Sequence, residues 1–193
     1  MDTLQLAAAT TAMIVIDLQR GILTRQTTPH SVADVLKRSV QIADACRKAG
    51  VLVVLVRVAF SRDRRDRLAP PADDMAAATS QIPPDFADLA PELGPHAGDL
   101  VITKHQWGAF YGTELDLQLR RRGIRTLIFT GIATNFGVES TARDAYERGY
   151  EQVFVEDAMS TVIPGGHEFT LKYIFPRLGR IRLTANVLAS LAR

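Results

Sequence analysis

The chain has 193 residues, a formal net charge of +2, 47% hydrophobic and 23% charged residues, values ordinary for a soluble globular protein. That length predicts one domain over residues 1–193 with a large core. The near-neutral balance gives no basic face for nucleic acid, and the single cysteine excludes an internal disulfide framework. No apolar run reaches the length of a membrane span, and the first residues lack a basic stretch followed by an apolar one. With one cysteine and no such segment, the expected location is the cytoplasm.

Thr11–Ile16 is a continuous apolar run closed by Asp17. Unbroken rather than alternating hydrophobicity predicts a strand buried on both faces, as in a parallel sheet. From Val32 to Lys48, Val35, Ser39, Ile42 and Cys46 recur at helical spacing, and Gly50 follows as a C-cap. Cys46 therefore lies on the apolar side of a crossover helix, a structural thiol rather than a nucleophile. Val51–Val56 predicts a second buried strand. Residues 59–98 form a Pro-rich excursion with no sustained apolar period and room for one short helix. A loop of that length is either a functional lid or subunit contact, or a tolerated insertion.

Asp99–Thr103 predicts a third strand, ending at Lys104 and followed by the aromatic-rich stretch from His105 to Gly112. Leu115, Leu119 and Arg122 share one helix face up to Gly123. A fourth strand begins at Leu127, breaks at Gly131, and passes through a tight polar turn into a helix over Val138–Arg148, ended by Gly149. A fifth strand, Gln152–Val155, ends in Glu156, Asp157 and Ala158. A helix over His167–Phe175, a strand over Arg180–Thr184 and a helix over Ala185–Leu191 complete the chain. Strands alternating with helices predict an α/β fold with a parallel sheet covered on both faces.

Asp17, Lys104 and the Gly131–Gly137 turn all fall at strand ends, and hence at one carboxyl edge of such a sheet, where ligands bind. A helix N-terminus after the turn favours an anion or oxyanion. Gly131 and Gly137 also suit the plainer role of letting the chain turn and pack closely, and that alternative stays open. An acid and a base that converge there form a candidate proton-transfer pair.

Met13–Gln19, Thr103–Phe110 and Gly131–Ala142, continuing through Val155–Ala158, resemble the isochorismatase-like (cysteine hydrolase) superfamily over nearly the whole chain. The resemblance implies a three-layer α-β-α sandwich, Rossmann-like, with a six-stranded parallel sheet. It also implies a cis peptide at Ile132–Ala133. Amide-cleaving members use an Asp, Lys and Cys triad. Asp17 and Lys104 match the first two, whereas the position of the Cys is Gly137. A glycine offers no nucleophile. Members that cleave the vinyl ether of isochorismate resemble this chain in carrying glycine there. Their motif typically has a His where this chain has Asn135.

The resemblance assigns Asp17 and Lys104 as catalytic residues, and Ala133, Gly137 and Val138 as backbone contacts to a substrate carboxylate or oxyanion. Trp107, Phe110 and Tyr111 are candidate pocket walls, with loop packing as the alternative for each. Metal-binding relatives place an Asp and two His before the Lys. The matching stretch here has His96 without a paired His, so neither metal nor other cofactor is expected. The expected function is acid-assisted, non-covalent hydrolysis of a small carboxylate-bearing molecule. A catalytically silent binding or scaffold protein is the alternative, as is an amide hydrolase using water or Thr134. The resemblance and the excursion point to a homodimer or homotetramer with a small-molecule substrate and neither nucleic acid nor membrane as partner.

Overall fold

A computed structural model describes residues 4–73 and 82–192. Six strands, β1 (Thr11–Ile16), β2 (Leu52–Val58), β3 (Leu100–Lys104), β4 (Thr126–Ile132), β5 (Glu151–Ser160) and β6 (Arg180–Arg182), form one sheet in the order β3-β2-β1-β4-β5-β6. Every pairing is parallel. The central strands β1 and β4 are buried along their whole length, which is why their sequences read as continuous rather than alternating apolar runs.

The helices that cover the sheet are α1 (Val32–Lys48), α2 (Leu115–Arg121), α3 (Glu139–Glu147), α4 (166–178) and α5 (Thr184–Leu191). The segment α4 joins Gly166–Phe169, a π turn at Thr170–Ile174, and Phe175–Leu178. Residues of successive strands alternate between two cores. Ile14, Val54 and Phe129 pack with Leu119 of α2, Ala142 of α3 and Phe175 of α4. Val15, Leu55 and Ile128 pack with Ile42 and Cys46 of α1 and Val187 of α5. The result is the three-layer α-β-α sandwich, since parallel strands need crossover helices and these cover both faces.

Local chemistry explains the boundaries of α1. The Ser31 hydroxyl accepts the Asp34 N–H at 3.1 Å as N-cap, and Gly50 takes φ 74° just past the last turn. Arg47 in the last turn bonds Asp99 at 2.8 Å and the Leu93 carbonyl at 2.7 Å, so α1 anchors the chain as it returns to β3.

Several elements differ from the sequence expectation; the last strand, for one, stops at Arg182 rather than Thr184, which already belongs to α5. β5 runs on to Ser160 instead of ending at Val155, because its register with β4 shifts between Phe129 and Gly131 and leaves a polar bulge around Glu156 and Asp157. Those carboxylates mask the strand in any hydrophobicity pattern. Asp157 in the bulge caps α5, accepting the Thr184 N–H and hydroxyl at 2.8 Å each. The helix after β4 opens earlier than Val138, as a π turn over Thr134–Val138. The helix expected over His167–Phe175 extends to Leu178, with Pro176 tolerated because it stands in the first turn of the final segment. In the excursion, residues 74–81 lie outside the described residues, and the described remainder holds no helix. No described helix is long and apolar enough to cross a membrane.

Candidate active site

The strand order reverses between β1 and β4, and the carboxyl ends of strands at such a switch point are where ligands bind in open α/β sheets. Asp17 leaves β1 at that point with φ 54°, in the left-handed region. Lys104 ends β3, two strands away, a span of roughly 10 Å that takes a long side chain to cross. Its Nζ donates to Asp17 Oδ2 at 2.7 Å and to the Gln106 carbonyl at 3.1 Å. The pair expected from the sequence is therefore brought together, and it is dry: Asp17 is 6% and Lys104 1% exposed.

Burial raises the Asp17 carboxyl above the usual carboxylate range, against the lowering influence of the Lys104 charge and hydrogen bond. Its second oxygen, Oδ1, is buried and has no partner among the described residues. The water-poor surroundings and the unmatched Oδ1 thus work against the Lys104 charge, the balance expected of a carboxyl that exchanges a proton.

The third corner is the turn after β4. Gly131 takes φ 119° and lies so close to β1 that a Cβ there would stand 2.1 Å from the Ile16 carbonyl oxygen, so glycine is required. The Ile132–Ala133 peptide is cis. At Gly137 a Cβ would point into the pair, 3.1 Å from Asp17 Oδ2, 3.1 Å from Ile16 Cγ2 and 3.5 Å from the Trp107 carbonyl oxygen. A side chain at position 137 would thus meet the acid directly, and glycine places none there.

Other expected residues are placed differently. Val138 does not offer its N–H to a ligand, because that group closes the π turn by donating to the Ala133 carbonyl at 3.1 Å. The Ala133 carbonyl also takes the Phe136 N–H at 3.2 Å. Phe110 is a core residue at 3% exposure, stacked on Tyr150 at 5.9 Å with the Arg148 guanidinium 5.0 Å above its ring, and not a pocket wall. Trp107 and Tyr111 stand 63% and 77% exposed on the loop beside Lys104, and Trp107 meets Phe136 of the π turn edge-on at 4.9 Å.

Of the residues that tie the corners together, Thr134 and Asn135 were singled out from the sequence for other roles, whereas Thr141, Gln106, Thr161 and His167 were not. Thr141 of α3 donates to the Gly137 carbonyl at 2.6 Å and accepts the Ala109 N–H at 3.1 Å, joining the turn to the aromatic loop. Gln106 Nε2 holds that loop by donating to the Gly108 and Tyr111 carbonyls at 3.0 and 2.7 Å. Thr161 of the chain beyond β5 bonds Asn135. On the α4 side, Thr134 Oγ1 bonds His167 Nδ1 at 2.8 Å, both residues being buried. Their sequence signal was weak, since Thr, Gln and lone His residues occur throughout the chain. Among the described residues no cluster of three or more His, Cys, Asp or Glu is arranged to hold a metal. Cys46 sits in the core with its thiol pushed up to about 12 by burial, and so is chemically quiet.

His167 carries a pH signature. Burial lowers its imidazole from 6.5 to about 4, so the folded protein keeps it neutral. The unfolded chain then binds the extra proton between those values. The contribution is whole above pH 6.5 and is lost as pH falls towards 4, worth up to about 3 kcal/mol. Thermal melts between pH 7 and pH 5 are expected to fall more steeply for the unmodified protein than for His167→Gln. Parallel slopes would remove His167 from the acid response.

A doubly wound parallel sheet with a buried carboxyl and lysine at its switch point, opposite a glycine turn, defines an α/β domain with a candidate small-molecule site. The isochorismatase domain model matches residues 11–186, and the chain belongs to the isochorismatase family of hydrolases. It is 47% identical over 189 residues to the isochorismatase family protein YwoC of Bacillus subtilis, covering 97% of each chain. It is similar to the ureidoacrylate amidohydrolase RutB of Methylorubrum extorquens, with 36% identity over 78% of this chain and 70% of that one. An isochorismatase family protein structure from Burkholderia thailandensis superposes with a TM-score of 0.91, at 43% identity and 98% coverage of both chains.

Proposed function

We propose that the chain hydrolyses a small carboxylate-bearing molecule without a covalent enzyme intermediate, Asp17 being the acid and Lys104 the residue that orients it. The observation that supports this most strongly is the buried Asp17 carboxyl, paired through Oδ2, unpaired at Oδ1, and facing a position with no side chain. On an enol ether, the Asp17 proton goes to the terminal carbon and leaves an oxocarbenium ion. Water adds to that ion, and its spare proton returns to the Asp17 carboxylate. The hemiketal then collapses to a ketone and an alcohol, so the acid is regenerated and the net reaction is addition of one water. Lys104 offsets the negative charge left on Asp17 after proton transfer. Ordinary amide cleavage by the Asp, Lys and Cys route is disfavoured here, because position 137 carries no thiol and Cys46 is buried in the other core.

Isochorismate is the first substrate to try. Incubation with the purified protein is expected to release pyruvate, with release lost in Asp17→Asn at an unchanged far-UV spectrum. Release that persists in Asp17→Asn would refute the acid role. Binding of isochorismate without turnover would replace hydrolysis with a ligand-holding function.

A further inference from the structure

The turn that carries Asp17 is braced by a residue outside the acid–lysine pair. A non-glycine residue in the left-handed region costs about 1 kcal/mol or more and persists where its surroundings over-determine it. At Asp17, φ is 54°. Its N–H donates to the Val56 carbonyl at 2.9 Å, and its own carbonyl accepts the Gln19 N–H at 2.9 Å. Gln19 is fully buried. Its side-chain amide makes three bonds: Oε1 accepts the Val58 N–H at 2.8 Å, and Nε2 donates to the Val58 and Phe86 carbonyls at 2.9 Å each.

One side chain therefore joins the ends of β1 and β2 to the strap that returns from the excursion. The strap is seated by further bonds, Arg20 N–H to the Asp88 carbonyl at 2.8 Å, Gly21 N–H to the Phe86 carbonyl at 3.0 Å, and Ala90 N–H to the Leu18 carbonyl at 3.0 Å. The Phe86 ring packs where a Cβ on Gly21 would be, 1.9 Å from that point. Buried amides matched on both oxygen and nitrogen hold a unique arrangement, because losing them strands polar groups out of water.

We propose that Gln19 is a positioning residue: its amide clips β2 and the Phe86 strap over the Asp17 turn, and so keeps the Asp17 carboxyl dry and aimed at Lys104. This rests on the acid role given to Asp17 above. The charged group that faces Asp17 is Lys104 from β3, and the turn after β4 presents Gly137 there. An uncharged change at Gln19 therefore acts on Asp17 through water access and not through a new charge.

The test is the titration of the Asp17 side-chain carbon by NMR, its signal identified by loss in Asp17→Asn. Gln19→Met and Gln19→Leu are expected to fold and to lower the Asp17 midpoint by about one pH unit or more, as water reaches the carboxyl. A folded variant with an unmoved midpoint overturns the proposal. Should neither variant fold, hydrogen exchange in the unmodified protein decides: a Val58 amide as protected as those inside β2 supports the clip, and exchange at loop rates overturns it. Failure of the acid role has a different signature, a midpoint that moves in Gln19→Met while Asp17→Asn keeps turnover.

Discussion

Lys104→Met is expected to destabilise the protein by about 3–5 kcal/mol at neutral pH, since it leaves the Asp17 carboxyl buried without its counter-charge. Lys104 is 1% exposed and Asp17 6%, so neither head can swing into water without moving backbone. The double variant Asp17→Asn/Lys104→Met is expected to recover a large part of the loss, because it removes the uncompensated charge rather than one half of a pair. The sign of the pH response separates this from a simple packing defect. Burial already raises the Asp17 carboxyl in the paired state, and removing Lys104 removes what opposes that rise. The folded variant then binds a proton that the unfolded chain releases above 3.8, so its stability increases as pH falls through the raised folded value. Denaturant midpoints for the unmodified protein, both single variants and the double variant, at pH 7 and pH 5, check both statements. A loss under about 1 kcal/mol for Lys104→Met would mean that the pair behaves as an exposed one.

Gly137→Cys is expected to produce an enzyme that cleaves amides. A Cβ at 137 would stand 3.1 Å from Asp17 Oδ2, which places a thiol against the acid–lysine pair. The same distance to Ile16 Cγ2 is tight, and accommodating it is expected to cost about 1 kcal/mol of stability. Asp17 as carboxylate takes the thiol proton, the thiolate attacks the amide carbonyl, and the proton passes to the departing amine. Water then hydrolyses the thioester and regenerates the thiol. The new thiol should react with iodoacetamide while Cys46, buried and held near 12, stays unlabelled. Amide turnover roughly a hundredfold above the unmodified chain, and its loss in Gly137→Cys/Asp17→Asn, is the expected result. A thiol at 137 that neither labels nor supports turnover would show that the three corners do not converge on one reacting atom.

Much of this architecture is legible in the sequence. Continuous apolar runs at Thr11–Ile16 and Val51–Val56, alternating with a capped amphipathic helix, can be satisfied by a parallel sheet with helices on both faces, and that is what forms. Charged residues that close such strands, Asp17 and Lys104, necessarily fall on one edge. Where a bulge interrupts the apolar pattern, as at Glu156 and Asp157, the pattern ends the strand too early, because hydrophobicity reports burial and Asp157 serves as a helix cap instead. The π turn over Thr134–Val138 is likewise invisible, since its side-chain pattern is that of the helix it opens.

The sequence by itself determined the parallel sheet, its covered faces, and the shared edge on which Asp17 and Lys104 fall. These follow from local periodicity, residue type and the reach of one chain segment. The tertiary structure alone decided that Lys104 reaches past β2 to bond Asp17, and that Phe110 belongs to the core while Trp107 and Tyr111 face outward. It decided too that the Val138 amide is consumed by its own turn, and that the Gln19 amide bonds residues 39 and 67 positions away. Such bonds join groups far apart in the chain, and no local pattern encodes them. They exist because burial at the sheet edge leaves each polar group to find its partner inside the protein.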